Sequence, residues 1–224
     1  MANVTLVLCR TPLQEFHFGH RSGRWGAMVM VEGPKVFGVL AGVVAQTAAT
    51  AGVTAIKAVT AAMSPFGLAG AAPGLESLSL GGQMYSLVTD GSAVSKISEF
   101  DSMERFKADS GKGFYMQTRP QPQKPYRLTM SISSTVAELN GNGQCLRVHD
   151  HGYVQQGTST PAGILVHEAP HVGWLIGCIS PRPKNHRVPN NHDKAPSHRA
   201  MEQIFTAMGG FGAGKEASLI VLDW

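Results

Sequence analysis

The sequence is poor in charged and aromatic residues, and this limits the kinds of protein that it can encode. Only 15% of its 224 residues are charged and 7% are aromatic, whereas about 25% of residues are charged in an ordinary globular domain. A coiled coil or a charged disordered tail needs far more charge, so both are excluded. The net charge is only +4, and no run of Lys or Arg is present. A nucleic-acid-binding protein is therefore not expected, although a weakly basic surface suits an anionic polymer such as cell wall or membrane.

Cysteine is scarce, and the first residues lack a secretion signal. The three cysteines, Cys9, Cys145 and Cys178, are an odd number, so they cannot all be paired within the chain. The first ten residues have no basic segment, and their apolar run is too short for a secretory signal. We therefore expect a protein that is made in the cytoplasm and that reaches any other compartment by another route.

The missing charge is concentrated in one segment. Residues 36–75 contain a single charged residue, Lys57. Within them, Val36–Ile56 is a run of 21 uncharged residues, which is long enough to span a bilayer as a helix. Thr and Gln side chains dilute its hydrophobicity. Three interpretations remain open: a helical hairpin that is buried or covered by a partner, a segment that inserts into a membrane conditionally, and a permanent transmembrane anchor.

Downstream of Gly74, the residue pattern is mainly that of β-strands. We predict two strands that flank Gly81-Gly82 within 75–88, and one strand each over 126–132, 144–149, 163–166 and 217–222. Asp101–Asp109 predicts one or two helical turns. Ser197–Met208 predicts a helix that is capped by Ser197 and ended by Gly209. The predicted fold is α+β, with an apolar, helical N-terminal region over 1–74 and a β-rich domain with one late helix over 75–224.

The run His167-Glu-Ala-Pro-His171 is one candidate for a chemical site. It matches the H-E-x-x-H motif of zinc peptidases, in which both histidines lie on one face of a helix. Pro170 removes a helical hydrogen bond and clashes with the preceding turn, at a cost of about 3 kcal/mol. We therefore expect no metal or other cofactor, and a zinc metallopeptidase stays an alternative hypothesis.

The pair His167 and Cys178 is the second candidate. Cysteine is a strong nucleophile that needs a base within hydrogen-bonding reach, and Cys178 follows His167 by 11 residues. Gly177 lets the backbone turn tightly before the thiol, so that the amides of Gly177 and Cys178 are able to form an oxyanion hole. A buried structural cysteine is the alternative interpretation.

These residues carry a resemblance to a known family. The pattern Gly163-Ile-Leu-Val-His167, then Gly177-Cys-Ile179, then Ser197-His-Arg-Ala with a closing helix and strand, resembles the L,D-transpeptidase-like cysteine enzymes. It is most similar to a short branch found in phage proteins and in type VI secretion effectors that attack peptidoglycan. The resemblance is specific over 163–224, extends weakly back to residue 75 and covers none of 1–74. It implies an L,D-transpeptidase-like catalytic domain over 75–224.

The resemblance also implies roles for individual residues. Cys178 would be the nucleophile, with Gly177 in its turn and His167 in its pocket. The family's usual Ser-His-Gly-Cys reads Leu175-Ile-Gly-Cys178 here, so Ile176 stands where the usual base would be. The base is then His167 or His171.

Four residues are expected to contact the substrate on the same grounds. They are His171, Arg182, Trp174 and Arg199. Arg182 and Arg199 are the candidates for binding a carboxylate of the peptidoglycan stem peptide, because the family's arginine after the cysteine is replaced by Ser180.

The function implied by the resemblance is that of an antibacterial effector. It would act on stem peptides by cysteine acyl transfer at an L,D peptide bond, as an L,D-carboxypeptidase, an L,D-transpeptidase or a D-amino acid exchange enzyme. It would be secreted and would act in the periplasm of a target bacterium. An immunity protein is expected to block its site, and a chaperone or secretion component is expected to hold 1–74, with transient membrane contact. The alternatives are a membrane-disrupting toxin that acts through 36–75 and a non-catalytic wall-binding or phage structural module.

Overall fold

The fold is α+β and consists mostly of sheet. The computed structural model describes residues 3–41, 74–105, 125–152, 159, 163–188 and 193–222. The strands in these ranges are β1 (Asn3–Phe18), β2 (Arg21–Gly33), β3 (Val36–Ala41), β4 (Gly74–Leu80), β5 (Gln83–Thr89), β6 (Lys96–Arg105), β7 (Tyr126–Ile132), β8 (Gln144–Val148), β9 (Leu165–Val166), β10 (Ile179–Pro183) and β11 (Glu216–Leu222). The helices are α1 (Ser134–Asn140) and α2 (Ala195–Ala207), with a 3₁₀ turn over Val172–Trp174.

Eight of the strands form a closed barrel. Their order is β1-β11-β7-β8-β9-β10-β6-β2. The pairs β1–β11 and β9–β10 are parallel and the other pairs are antiparallel. Alternate residues of all eight strands, such as Leu6 and Leu8 of β1, belong to one buried apolar cluster together with residues of α2. Because side chains alternate across a strand, this cluster fills the barrel interior.

Two further clusters lie on the outside of the barrel. One packs outward residues of β1, β2 and β11, such as Val7 and Cys9, against the separate sheet β3-β5-β4. We call it the sheet-covered face. The other joins outward residues of β2, β6, β8 and β9 to α1 and the 3₁₀ turn, and it contains Cys145, Leu165 and Cys178. We call it the site face, because the candidate catalytic residues lie there.

The predicted helical N-terminal region is wrong wherever it is described. Residues 3–41 form β1, β2 and β3. Over Val4–Cys9 and Met28–Val31, β1 and β2 are buried both by the barrel interior and by the outer sheet, so this part of their sequence is mostly apolar and lacks the alternation of a half-exposed strand. Residues 3–33, upstream of the predicted boundary at 74, supply two of the barrel strands. Most of the uncharged segment, 42–73, lies outside the described residues.

Among the described helices, none is long and apolar enough to cross a membrane. The 36–75 segment is described only at its two ends, where 36–41 belongs to β3 and 74–75 to β4. The helical hairpin, the conditional insertion and the permanent anchor that we considered for this segment fall mainly on residues outside the description.

Other elements match the sequence predictions with three exceptions. The strands at 126–132 and 216–222, the pair around Gly81-Gly82 and the late helix are confirmed. A second helix, α1, was not predicted. The predicted helical turns at Asp101–Asp109 are wrong over 101–105, which belong to β6, and 106–109 lie outside the described residues. The charged residues of β6 do not all lie at the surface. Glu104 is buried against Arg10, with two nitrogen–oxygen distances of 2.8 Å. Ser197 is not the cap of α2, which begins at Ala195.

Candidate active site

Two parallel neighbouring strands place His167 and Cys178 on the same outer face of the barrel, two residues apart in register. Val166 in β9 pairs with Ile179 in β10, and the backbone N–H of His167 donates to the carbonyl oxygen of Ile179 at 3.0 Å. Val166 and Ile179 point into the barrel. Their neighbours therefore point outward, towards the site face.

The two side chains line a single small pocket of about 240 Å³ on the site face. Both residues are therefore near one another, and their catalytic roles stay a prediction. The other lining residues come from α1 and its N-terminal flank, from β8 and β9, and from the loops around them: Ser133, Thr135, Val136, Arg147, Gly163, Leu165, Trp174 and Ile176.

The thiol of Cys178 is buried and protonated. Its exposed fraction is 7%, and burial raises its pKa to about 12. It makes weak contacts with the carbonyl oxygens of Gly163 at 3.7 Å and Ile176 at 3.8 Å. A backbone hydrogen bond from Leu165 partly offsets the rise in pKa, and no hydrogen bond joins the thiol to His167. Proton transfer to His167 therefore requires the thiol to turn away from the two carbonyls.

The ring of His167 is held as a neutral base. Its Nδ1 lies 2.7 Å from the backbone oxygen of Glu168. A carbonyl oxygen only accepts hydrogen bonds, so Nδ1 carries the proton and Nε2 keeps its lone pair. Burial lowers the pKa of His167 to about 4, so the ring is uncharged at neutral pH. A neutral imidazole with a free Nε2 is the form that a general base requires.

Gly177 turns the backbone immediately before the nucleophile. Its φ is 77°, a left-handed conformation that glycine adopts without the steric cost of a Cβ. The turn ends the loop and starts β10 at Ile179, directly after the thiol. Ile176, where the family has its usual base, is 52% exposed and lines the pocket.

Residues 167–170, which we call the base loop, are fastened to α2 by polar contacts. The carboxylate of Glu168 is buried, and its Oε2 lies 2.7 Å from Nδ1 of His198. The backbone N–H of Ala169 donates to Oγ of Ser197 at 3.2 Å. Oγ of Ser197 also lies 2.7 Å from Oγ of Ser180 in β10. This explains why Ser197 is buried inside α2 rather than capping it.

Arg182 fastens the same loop from β10. Its side chain is fully buried, and Nη2 donates to the carbonyl oxygens of Ala169 at 3.0 Å and Pro170 at 2.8 Å. The guanidinium carbon lies 5.9 Å from the centre of the Trp25 ring. Burial lowers the pKa of Arg182. The base loop is thus held from two sides, which restricts the position of the His167 ring.

The four predicted substrate-binding residues lie in different places. Trp174 is half-buried and lines the pocket. His171 is half-buried and stacks on Phe18 at 4.3 Å between ring centroids, and its Nδ1 accepts from Gly173 N–H at 3.1 Å. Arg182 is buried behind the base loop, and Arg199 is exposed on α2. Only Trp174 of the four lines the pocket, and substrate contact by each of them stays a prediction.

Sequence reasoning missed the polar residues on the far side of the pocket. Arg147 belongs to β8, and Ser133 and Thr135 flank the start of α1. The only signal was the alternation in β8, which places Arg147 on the same face as Cys145. That signal becomes useful only when the pairing of β8 with β9 is known.

The geometry of a helical zinc motif is absent from 167–171. His167 ends a strand and His171 precedes a 3₁₀ turn, so no helical face carries both rings. Within the described ranges, no three His, Cys, Asp or Glu side chains are grouped so that they could hold a metal ion.

Comparisons with known proteins found no relative of this chain. A scan against protein-family models, a search of curated proteins and a search of solved structures each found no match to this chain. The function is therefore argued from the residues of the pocket.

Proposed function

We propose that this protein is a cysteine acyl-transfer enzyme that acts on L,D peptide bonds of peptidoglycan stem peptides. The observation that carries the proposal is the shared pocket of Cys178 and His167, in which the hydrogen bond from Nδ1 leaves Nε2 of the histidine free to act as a base. The chemistry of acyl transfer rests on these side chains. The choice of bond and polymer rests on the resemblance of the 163–224 pattern to the L,D-transpeptidase-like enzymes.

The reaction begins with a neutral pair. When the substrate carbonyl carbon approaches, the thiol proton passes from Sγ of Cys178 to Nε2 of His167, and Sγ forms a bond to that carbon. The C–N bond then breaks, and the departing amine takes the proton from Nε2. The product of this half is a thioester on Cys178 with a neutral His167.

The second half returns the enzyme to its starting state. Water or an acceptor amine gives a proton to Nε2 of His167 as its oxygen or nitrogen attacks the thioester. The C–S bond breaks, and the sulfur recovers the proton from Nε2. Water makes the enzyme a carboxypeptidase, and an amine makes it an exchange or cross-linking enzyme. In both halves, the backbone amides at Gly177 and Cys178 are the groups that we assign to the carbonyl oxygen.

A neutral pair has a consequence for reactivity. With a thiol pKa of about 12, very little thiolate exists at neutral pH before the substrate binds. The substrate must displace the thiol from the carbonyls of Gly163 and Ile176 and bring it towards His167. The resting enzyme is thereby protected from indiscriminate reaction with other electrophiles, because the thiolate is the reactive form.

The biological setting that we propose follows the resemblance. The protein is an antibacterial effector that is made in the cytoplasm and delivered to the periplasm of a target bacterium. A dedicated immunity protein would cover the pocket of Cys178. A chaperone or a component of the secretion apparatus would hold the region up to residue 74 before delivery.

The mass of stem peptides tests the proposed reaction. Purified protein is incubated with isolated sacculi, the wall is digested to muropeptides and their masses are compared with those from the Cys178→Ala variant. Loss of a terminal D-Ala, its replacement by another D-amino acid or a new cross-link would each identify the acceptor. Unchanged masses with protein that is folded by circular dichroism would contradict the proposal and favour the wall-binding alternative.

A further inference from the structure

The described lining of the pocket carries positive charge and no negative charge. Of the ten described residues that line it, only Arg147 carries a formal charge at neutral pH. Cys178 and His167 are both neutral there, because their pKa values are about 12 and about 4. No Asp or Glu is among these described lining residues. A described lining with one cation and no anion attracts a negatively charged ligand group.

Arg147 is available to such a group. It is half-buried in β8, and no hydrogen bond or ion pair joins its guanidinium to another residue of the described ranges. This contrasts with Arg10, Arg127 and Arg187, each of which pairs with a carboxylate. An arginine fork binds a carboxylate with two parallel hydrogen bonds, and a half-buried site strengthens the attraction because less water screens it.

The sheet register sets the separation between Arg147 and the nucleophile. Arg147 pairs with Leu165 across β8 and β9, and Leu165 lies one step before the pair Val166–Ile179 that joins β9 to β10. Arg147 and Cys178 are therefore two strands apart at the same level. Strands are spaced about 4.8 Å apart, so the two backbone positions are about 10 Å apart. A substrate that spans this distance places its carbonyl at Cys178 and its carboxylate at Arg147.

We propose that Arg147 forms a carboxylate subsite and restricts the acyl-transfer reaction to peptides that carry a carboxylate near the scissile bond. This inference rests on the proposed function, because the ligand is taken to be the peptide that Cys178 attacks. Next to the scissile bond, a stem peptide offers two carboxylates of the same chemistry, one at the terminal D-residue and one on the side chain of a diamino diacid. The hydroxyl groups of Ser133 and Thr135, on the same wall of the pocket, are placed to accept or donate further hydrogen bonds to the bound group.

The arginines that the sequence favoured do not occupy this position. Arg182 is fully buried and is engaged with the carbonyls of Ala169 and Pro170. Arg199 is exposed on α2 and does not line the pocket. The pocket's own cation is Arg147.

Binding of three matched tetrapeptides tests the subsite without any turnover. One peptide has all its carboxylates free, the second is amidated at the terminal carboxyl, and the third is amidated at the side-chain carboxyl of the diamino acid. Dissociation constants are measured by calorimetry on the Cys178→Ala variant. We expect one of the two amides to bind about 10- to 100-fold more weakly than the free acid, as loss of a charge-assisted pair predicts. The amide that loses affinity identifies the carboxylate that Arg147 binds.

Three variants in the Cys178→Ala background assign the effect to one side chain. Arg147→Gln should reduce the preference for the free acid to less than about 2-fold, and Arg147→Lys should retain part of it, because the charge remains while the fork is lost. Arg127→Gln is the matched control, since it removes an exposed arginine from the adjacent strand β7, outside the pocket. It should leave the preference unchanged. Circular dichroism establishes that each variant is folded.

The outcomes separate this inference from the proposed function. Equal binding of all three peptides, no binding of any of them, or a preference that survives in Arg147→Gln would overturn the subsite. Wild-type turnover of the peptides without any acid preference would also overturn it and leave the proposed function standing. An acid preference that depends on Arg147, together with a wild-type protein that leaves every peptide intact, would support the subsite and contradict the proposed reaction.

Discussion

Each of the two outer faces of the barrel buries a cysteine, and the side chains around the two cysteines differ. On the sheet-covered face, Cys9 is fully buried and its Sγ lies 3.4 Å from the phenol oxygen of Tyr85. Burial raises the pKa of that phenol, so it stays protonated and offers no base. On the site face, Cys178 is almost as deeply buried but shares a pocket with the neutral base His167. Burial alone therefore does not distinguish a structural thiol from a nucleophile; an adjacent base and an opening do.

The third cysteine supports the same distinction. Cys145 belongs to the site face, yet it does not line the pocket and its thiol donates to the backbone oxygen of Ser131 at 3.4 Å. Burial raises its pKa to about 11. It lies in β8, which also supplies Arg147 to the pocket lining, and its thiol is hydrogen-bonded to the neighbouring strand β7. We interpret Cys145, like Cys9, as a packing residue.

The largest expected effect comes from exchanging the two cysteines for alanine. Cys178→Ala should lower kcat/KM on a stem tetrapeptide by at least about 1,000-fold, since removal of a nucleophile abolishes the covalent route. Cys9→Ala should leave kcat/KM within about 2-fold and should lower only the free energy of unfolding, because it removes a buried group. Equal loss of activity in both variants would show that the site-face thiol has no special role.

The next effect is a difference in acid stability between the faces. The pKa of His167 is about 4 in the folded protein, against 6.5 for an unperturbed histidine, so the unfolded chain binds the extra proton first as the pH falls. The stabilisation is complete above pH 6.5 and is lost between pH 6.5 and pH 4. From these two values, it amounts to about 3 kcal/mol. Urea unfolding of wild type should lose about this much over that range, whereas His167→Asn should lose much less.

A sheet-covered variant provides the comparison for that measurement. Leu87→Ala removes a fully buried side chain of the outer sheet and should lower the free energy of unfolding by about 2–5 kcal/mol. Because it removes no titratable group, its loss should be the same at pH 7 and at pH 4.5. A wild-type slope that persists in His167→Asn would place the acid sensitivity elsewhere.

The smallest effect concerns the contacts between the base loop and α2. Glu168→Gln weakens the 2.7 Å contact with His198 while it keeps the shape of the side chain, so His167 should be held less firmly. We expect kcat to fall about 5- to 10-fold with little change in KM, which is the size of one lost charge-assisted hydrogen bond. Glu202→Gln is the control. It removes the exposed partner of His198 at 3.3 Å, and exposed pairs contribute little.

The sequence predicted the site better than it predicted the barrel. The neighbourhood of His167 and Cys178 followed from their chemistry, and β7 was predicted to the residue because it alternates strictly over Tyr126–Ile132. The strand β2 was missed because its central residues, Met28–Val31, are buried on both sides and have no alternation to read. The charges of β6 led to the wrong prediction of helical turns. Glu104 is buried because it pairs with Arg10, which lies 94 residues away in another strand.

Arg147 was beyond sequence reasoning for a different reason. Nothing in its neighbourhood along the chain marks it, and it lines the pocket only because β8 pairs with β9 and β9 with β10. Two successive long-range pairings are needed to bring it near Cys178. Local sequence patterns carry no information on either pairing. Arg147 therefore became a candidate only when the strand pairings in the structure were known.

The parallel pairing of β1 with β11 has a consequence for the order in which the molecule is made. β11 lies between β1 and β7, and Thr5 pairs with Ser218. A ribosome adds about 5–20 residues per second. The strand β11 is therefore synthesised on the order of ten seconds after β7, and later still after β1. During that time the edges of β1 and β7 both have unpaired amides and carbonyls, which any passing strand is able to join. A chain that stalls before β11 thus leaves two open edges, and the timing of synthesis decides whether the barrel closes on itself or on a neighbour.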